Sequence, residues 1–433
     1  MSSFRGIIYS KFFLLSCENK IEYFLCYLLI LIPLTLVSGP FLPDLFLTLL
    51  AFYGLYCSFK FNKEIFVSFK KFIFLFIIFF LILLLSSILS ENPTKYLLGT
   101  FTHIRFFFFV VGSYFLLSKY RDELIQLIYF WLLCCFFVVC CDAIFQYFFS
   151  INFLLMPIEG RLSGLFGEQL ILGSYLSRLL PILCALYFFL KPRKNFYFFI
   201  FVFILTNLVV LLSKERAAFL YLIFSDLLFI FLLFKKNSHK IIIFSIITFL
   251  FSIFFIFEKN SFYRLYNVTL EQFESKLYTP NIIFKYLPYS DDHEEIYHAA
   301  IKMIGDDIFT GHGPWSFRDI CKNYLSTSHL KCSTHPHNTY LQLFAETGFF
   351  GFLFLSVLFF FILFRFFKIL LFRNSLNSER FTSLFLLLAV IISLWPLIPT
   401  GNFFNNWLSI IYFYPIPLLF YLSNKIMTNQ DLL

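Results

Sequence analysis

Apolar runs of 17 or more residues recur along this chain, and no other feature restricts its possible folds as much. As a helix, each run is long enough to cross the roughly 30 Å of bilayer hydrocarbon. Inside hydrocarbon every backbone N–H and C=O must be paired within the protein, which leaves helices or closed barrels. A barrel requires short segments that alternate apolar and polar residues, and these runs do not alternate. With 433 residues, 60% hydrophobic and only 14% charged, the composition excludes an ordinary soluble domain. The expectation is an all-α polytopic membrane protein with about 12 transmembrane helices and one large outer loop.

The spans are expected near 22–38, 41–59, 72–90, 100–118, 124–149, 169–190, 195–213, 217–234, 241–257, 346–367, 381–398 and 403–423. An even number puts both termini on one side, and lysine and arginine accumulate on the cytoplasmic side. The termini and the short loops on their side carry 20 such residues, against four (Lys95, Arg161, Lys214, Arg216) in the short loops opposite. Both termini are therefore expected in the cytoplasm. The net charge of +9 reflects anchoring to membrane lipids and requires no nucleic-acid partner. Residues 1–20 lack a small-residue cleavage site and read as retained.

Three regions follow from this layout: 1–257 with nine helices, 258–345 as a large periplasmic loop, and 346–433 with three more helices and a cytoplasmic C-terminus. The loop holds six of the eight histidines. It also holds Cys321 and Cys332, a possible disulfide pair if that side is oxidising. The other eight cysteines lie in or beside apolar spans and read as small hydrophobes. Between Glu294 and Ile304 the apolar positions Ile296, Ala299, Ala300, Met303 and Ile304 have helical spacing, so an amphipathic helix is expected against the membrane or the bundle.

Cations that face outward against the charge bias need a reason to be there. Arg161 opens RLSGLFGEQLILGSYLSRLLP, and Arg216 sits in SKERAAFL next to Lys214. A lone interfacial arginine commonly snorkels to lipid headgroups. Arg178 falls in mid-span, where a charge costs at least roughly 2.5–3.5 kcal/mol, so it should face a cavity or a partner. Arg105 is a weaker case of the same kind. Several arginines meeting at one face would suit a diphosphate, through forked charge-assisted hydrogen bonds.

The stretch THPHNTY (334–340) is the most polar in its surroundings. Pro336 restricts His335 to extended geometry. Asn338 is a candidate N-cap, and Gly348 a candidate end or kink of the helix that follows. His337 then lies at the positive end of a helix, which favours a neutral imidazole, the form a general base needs. Alternatives remain open. Loop histidines are commonly surface hydrogen-bonding groups, and His-x-His with a third ligand from His293, His298, His312 or His329 would make a metal site, although the spacing fits no standard pattern.

Taken together, RLSGLFGEQLILGSYLSRLLP, SKERAAFL, GHGPWSF and HPHNTYLQLFAETGFFG resemble, in order, the segments of the O-antigen ligase and polymerase superfamily, over roughly 150–355. The resemblance implies a GT-C-like inner-membrane enzyme without a metal or other cofactor. Such an enzyme transfers a glycan from an undecaprenyl-diphosphate-linked donor to an acceptor hydroxyl on lipid A–core or a growing polysaccharide. By the same resemblance Arg161 and Arg216 bind the diphosphate and His337 is the catalytic base. His335, Arg178 and Lys214 are further substrate-binding candidates, and Glu215 and Tyr340 weaker ones. A non-enzymatic transporter is the main rival. It should show pseudo-repeated halves, and none are evident.

Overall fold

The computed structural model describes residues 19–60, 62–191, 196–233, 256, 258–277, 291–325, 332–372 and 378–430. The expected span 241–257, apart from residue 256, lies outside them, as does His329. Among the described residues the chain is helical, with no strand beyond two isolated bridges in the 151–161 loop. The first seven helices are α1 (Lys20–Thr35), α2 (Phe41–Lys60), α3 (Asn62–Leu89), α4 (Pro93–Phe149), α5 (Leu172–Leu190), α6 (Phe196–Ser213) and α7 (Arg216–Leu233). After them come α8 (Val268–Leu277), α9 (Asp291–Asp306), α10 (Thr339–Phe372), α11 (Ser378–Ser393), α12 (Asn406–Phe413) and α13 (Pro415–Gln430). Seven helices among the described residues (α2 to α7 and α10) have the length and composition to cross a membrane. The shorter α1 and α11, and the α12–α13 pair, overlap three further expected spans.

One of two joints differs from the sequence expectation. The spans expected at 100–118 and 124–149 are not separated by a loop. They meet in the 57-residue α4 at one non-helical residue, Arg121 (φ 47°, ψ −129°). At the other joint the helix expected after the Asn338 cap begins at Thr339 and runs on into the span expected from 346, and α10 bends at Gly348 (φ 68°, ψ −167°), the candidate kink.

Helix α5 is the axis of the bundle. In it 83% of an 18-residue window is buried, against 22% in α3, and it packs on α4, α6, α7 and α11. Lipid supplies no hydrophobic force between helices, so close packing and interhelical hydrogen bonds hold them together. Close packing shows where α2 crosses α4. A Cβ on Gly54 would lie 1.8 Å from the Phe108 carbonyl oxygen, and one on Gly112 2.5 Å from that of Leu50. The hydrogen bonds include Tyr175 to the Pro33 carbonyl (2.7 Å), Trp407 Nε1 to Leu36 (3.0 Å) and Thr382 to Ala185 (3.3 Å). Exposed Phe52, Phe59, Tyr197, Phe360 and Phe364 form an apolar outer surface suited to lipid.

The amphipathic helix appears as α9. It turns Ile296, Ala300 and Met303 onto α10 and a small core with Phe317, Cys321 and Ala345, so it lies against the bundle. Cys321 and Cys332 are disulfide-bonded, with Cα atoms 6.0 Å apart. The stretch from Ile308 through GHGPWSF docks along α10 through His312 N–H to the Ala345 carbonyl (3.2 Å), Gly313 N–H to Glu346 (2.8 Å) and Phe349 N–H to Ile308 (2.7 Å).

Candidate functional site

A cavity of about 750 Å³ opens where the loop before α5, the α6–α7 turn, the Tyr263–Asn267 segment and the 332–340 stretch meet the 394–405 loop. Five cationic side chains line it: Arg161, Arg178, Lys214, Arg216 and Arg264. Among the described residues Glu215 is its one carboxylate, and His293, His335 and His337 share the wall.

Each position follows from local structure. Helix α6 ends at Ser213, Lys214 adopts a left-handed turn (φ 59°), and α7 starts at Arg216, so the tight SKER turn delivers its charged residues at one helix end. Glu215, 9% exposed, accepts the Gly173 and Ser174 N–H groups at the start of α5 (2.7 and 2.9 Å). These donors have no partner within their own helix, so the carboxylate works as a tertiary cap. Burial pushes Glu215 up to about 7, against those two hydrogen bonds and the pull of Arg161 and Arg178. Glycine suits position 173, because a Cβ would meet Ser213 Oγ at 2.5 Å and Ala218 Cβ at 3.0 Å.

Arg178, 2% exposed, is held from four directions. Nε donates to Ser174 Oγ (3.1 Å), Nη1 to the Ser393 carbonyl (3.3 Å), and Nη2 to Tyr221 Oη and Thr400 Oγ1 (both 3.3 Å). Its guanidinium also lies over the Tyr221 ring, 4.8 Å from the centroid, a favourable placement for a cation. Arg216 donates to Gln272 Oε1 (2.6 Å) and Thr269 (3.5 Å) on α8, so the stretch after residue 258 folds over the SKER turn. The Arg161 and Arg264 side chains have no hydrogen-bond or salt-bridge partner among the described residues. Burial, and then the charge of Arg264, lowers Arg161 from its ordinary value. Two cations that destabilise each other in a partly buried cleft make a site that favours an anion.

The histidines form a second group. The His335 and His337 ring centroids are 4.2 Å apart, and those of His293 and His337 5.0 Å. His337 sits at φ 53°, its Nε2 3.2 Å from Ser333 Oγ. Asn338 caps α10, accepting from Tyr340 N–H (3.0 Å) and Leu341 N–H (3.1 Å), while its amide donates to the Pro396 carbonyl (2.8 Å). The His337 carbonyl accepts from Thr400 N–H (2.9 Å), and His335 Nε2 lies 3.3 Å from the Thr400 carbonyl. Burial pulls His337 down to about 3, helped by neighbouring His335 and His293, and pulls His335 down to about 4. Both of these imidazoles are thus neutral at pH 7, with burial the largest cause.

All six expected donor-binding and catalytic residues (Arg161, Arg178, Lys214, Arg216, His335, His337) line this one cavity. Tyr340 does not. Its hydroxyl donates to the Leu394 carbonyl (2.8 Å) and its buried ring lies edge-on to Phe352 and Phe359 of α10, so it acts in packing. Sequence reasoning missed Arg264 and gave His293 only a possible metal role. Arg264 lies in the long 258–345 loop, where positive-inside counting carries no information. Among the described residues no group of three or more His, Cys, Asp or Glu has an arrangement that could hold a metal ion. His298 pairs with Glu294 (3.8 Å) and His312 Nε2 with the Met303 carbonyl (2.9 Å).

Residues 199–356 match the family described as O-Antigen ligase. The matched stretch takes in Lys214, Arg216, Arg264 and the three clustered histidines, while Arg161, Arg178 and Thr400 lie outside it. No curated protein matches the chain. Through residues 199–356, then, the chain carries a domain of the O-antigen ligase/polymerase superfamily.

Proposed function

We propose that the protein transfers a glycan from an undecaprenyl-diphosphate carrier to an acceptor hydroxyl at the periplasmic face of the bacterial inner membrane. One observation carries this reading: five cationic side chains and three histidines line a single cavity at one end of an apolar helix bundle. The carrier's tail stays in the bilayer while Arg161, Arg216 and Arg264 hold its diphosphate, with Arg178 fixed behind them. The acceptor oxygen bonds to the anomeric carbon as the bond from that carbon to the diphosphate oxygen breaks. The configuration inverts, and the carrier leaves as undecaprenyl diphosphate. The arginines offset the charge that develops on the leaving group, so the scheme requires no metal ion. His337 takes the hydroxyl proton.

Depressed to about 3, His337 is a weak base while the cavity is empty. A bound diphosphate favours the protonated imidazole and raises that value toward the working pH. The donor thus prepares the base that acts on it. Twelve spans in a GT-C-like arrangement, with both termini cytoplasmic, complete the proposal. Lipid A–core is the preferred acceptor, which makes the protein a ligase; a growing polysaccharide would make it a polymerase.

The test is glycan profiling of cells lacking the gene, complemented with wild type, His337→Ala or Arg216→Ala at matched expression. Loss of capped lipid A–core, with long chains retained on the carrier, identifies a ligase. Caps of a single repeat identify a polymerase. Full complementation by both variants removes the catalytic assignment and favours a transporter.

A further inference from the structure

A second cavity, of about 350 Å³, lies beside the first. One face of α4 supplies Lys95, Gly99, Thr102 and Phe106 at spacings of three and four, with Tyr96, His103 and Arg105 alongside. Trp315 and Arg318 come from the GHGPWSF segment and the residue after it, Phe404 from the loop before α12, and Asn406 from the first position of α12. That loop also walls the larger cavity through Pro399, Thr400 and Gly401. Gln342 ties it down, donating to Asn402 Oδ1 (2.8 Å) and accepting from Phe403 N–H (2.9 Å).

The polar groups here are incompletely used. His103 is 4% exposed, yet its Nε2 finds no hydrogen-bond partner among the described residues, nor does Arg105 Nε. Buried polar atoms left in that state call for a partner. Lys95 is paired with Asp319 (2.7 Å), and Arg105 with Asp44 (2.8 Å) and Asn406 (2.8 Å). Arg318 is exposed, with no hydrogen-bond or salt-bridge partner among the described residues, so one positive charge remains over.

Trp315 is held at some cost. Its backbone is left-handed (φ 66°), an outlier for a bulky side chain. The ring is packed against the bare backbone of Gly99, where a Cβ would meet it at 2.7 Å, and lies 4.5 Å from the Phe404 ring. A fixed, half-buried indole, surplus positive charge and unfilled hydrogen-bond sites in one small cleft have a common ligand chemistry. An apolar ring face accepts the C–H face of a pyranose, side-chain donors take its hydroxyls, and an arginine takes a carboxylate or phosphate.

We propose that this cavity binds an anionic saccharide unit, through Trp315, Arg318, Arg105 and His103, while the diphosphate occupies the larger cavity. The role in transfer rests on the reading above; binding itself does not. The saccharide belongs either to the acceptor or to the outer part of the donor glycan, and kinetics separate the two.

The experiment uses the full chain in nanodiscs. Saturation-transfer NMR is recorded with glucose 6-phosphate, glucuronic acid and glucose, and farnesyl diphosphate binding is measured in parallel as the probe of the larger cavity. The two anionic sugars should bind and glucose more weakly. Arg318→Gln should weaken the anionic sugars about tenfold or more, Arg318→Lys less, and neither should alter farnesyl diphosphate binding. Arg216→Gln should do the reverse. Trp315→Ala should abolish sugar binding; Arg318 is exposed, so its variants keep the test valid if that protein misfolds. Anionic sugars that fail to bind, or that bind Arg318→Gln unchanged, overturn the proposal whatever farnesyl diphosphate does. Loss of farnesyl diphosphate binding alone counts against the donor site and leaves this one standing. In a transfer assay Arg318→Gln raises the acceptor KM if the unit belongs to the acceptor, and the donor KM if it belongs to the donor.

Discussion

His337 is where protonation and position meet. A general base works unprotonated, so its rate falls as pH drops through its pKa. In the free protein that value is about 3. We therefore expect kcat/KM, which reports the free enzyme, to show no histidine limb between pH 8 and pH 5. An imidazole at its ordinary value would give one near 6.5. With donor bound the pKa rises, so the acid limb of kcat should lie at higher pH than that of kcat/KM. A transfer assay across this range decides it, and coincident limbs near 6.5 would count against a buried, donor-tuned base. His337→Ala should lower kcat by roughly 10²–10⁴. Much of this site was legible in the sequence, because outward arginines break the charge bias and a polar stretch stands out among phenylalanines. Arg264 and the burial of the histidines were not, since both depend on how the stretch after residue 258 and the 394–405 loop fold over the cavity.

At the scale of elements, Gly348 decides how α10 is built. The sequence suggested only an end or a kink. The reason for the glycine is the Phe309–Thr310 peptide, just before GHGPWSF, which approaches so closely that a Cβ would lie 2.1 Å from the Phe309 carbonyl oxygen and 2.6 Å from Thr310 N. These are backbone atoms, which cannot turn aside as a side chain does, and φ is +68°. Gly348→Ala should therefore destabilise the protein by at least about 2 kcal/mol. Gly305→Ala on α9, with nothing within 4 Å, should change stability by no more than about 1 kcal/mol, toward greater stability. Thermal unfolding in detergent compares them, and equal effects would refute the close-approach argument. Span periodicity marked most helices to within a few residues. It could not reveal that α4 carries two expected spans through Arg121 without a loop, because local hydrophobicity is the same on either side of such a joint.

For the whole molecule, orientation is the claim that matters most, because it places both cavities. If the long loop faces out, a cysteine at exposed Asn323 reacts with an impermeant maleimide added to intact spheroplasts. One at exposed Glu123, beside the α4 kink, reacts only after lysis. The opposite pattern would invert the topology. The Cys321–Cys332 disulfide suits an outward, oxidising side. The bonds between the 335–340 stretch and Thr400 also bear on how the protein is taken apart. The His337 carbonyl and the His335 ring both rest on Thr400, and Arg178 reaches the same residue from α5. A fragment trimmed to the family-matched boundaries at 199 and 356 would keep the histidines and lose the residue that seats them. Chimeras between relatives should therefore exchange 161–178 and 394–405 along with the histidine segment, since the smallest transplantable catalytic part is discontinuous in the chain.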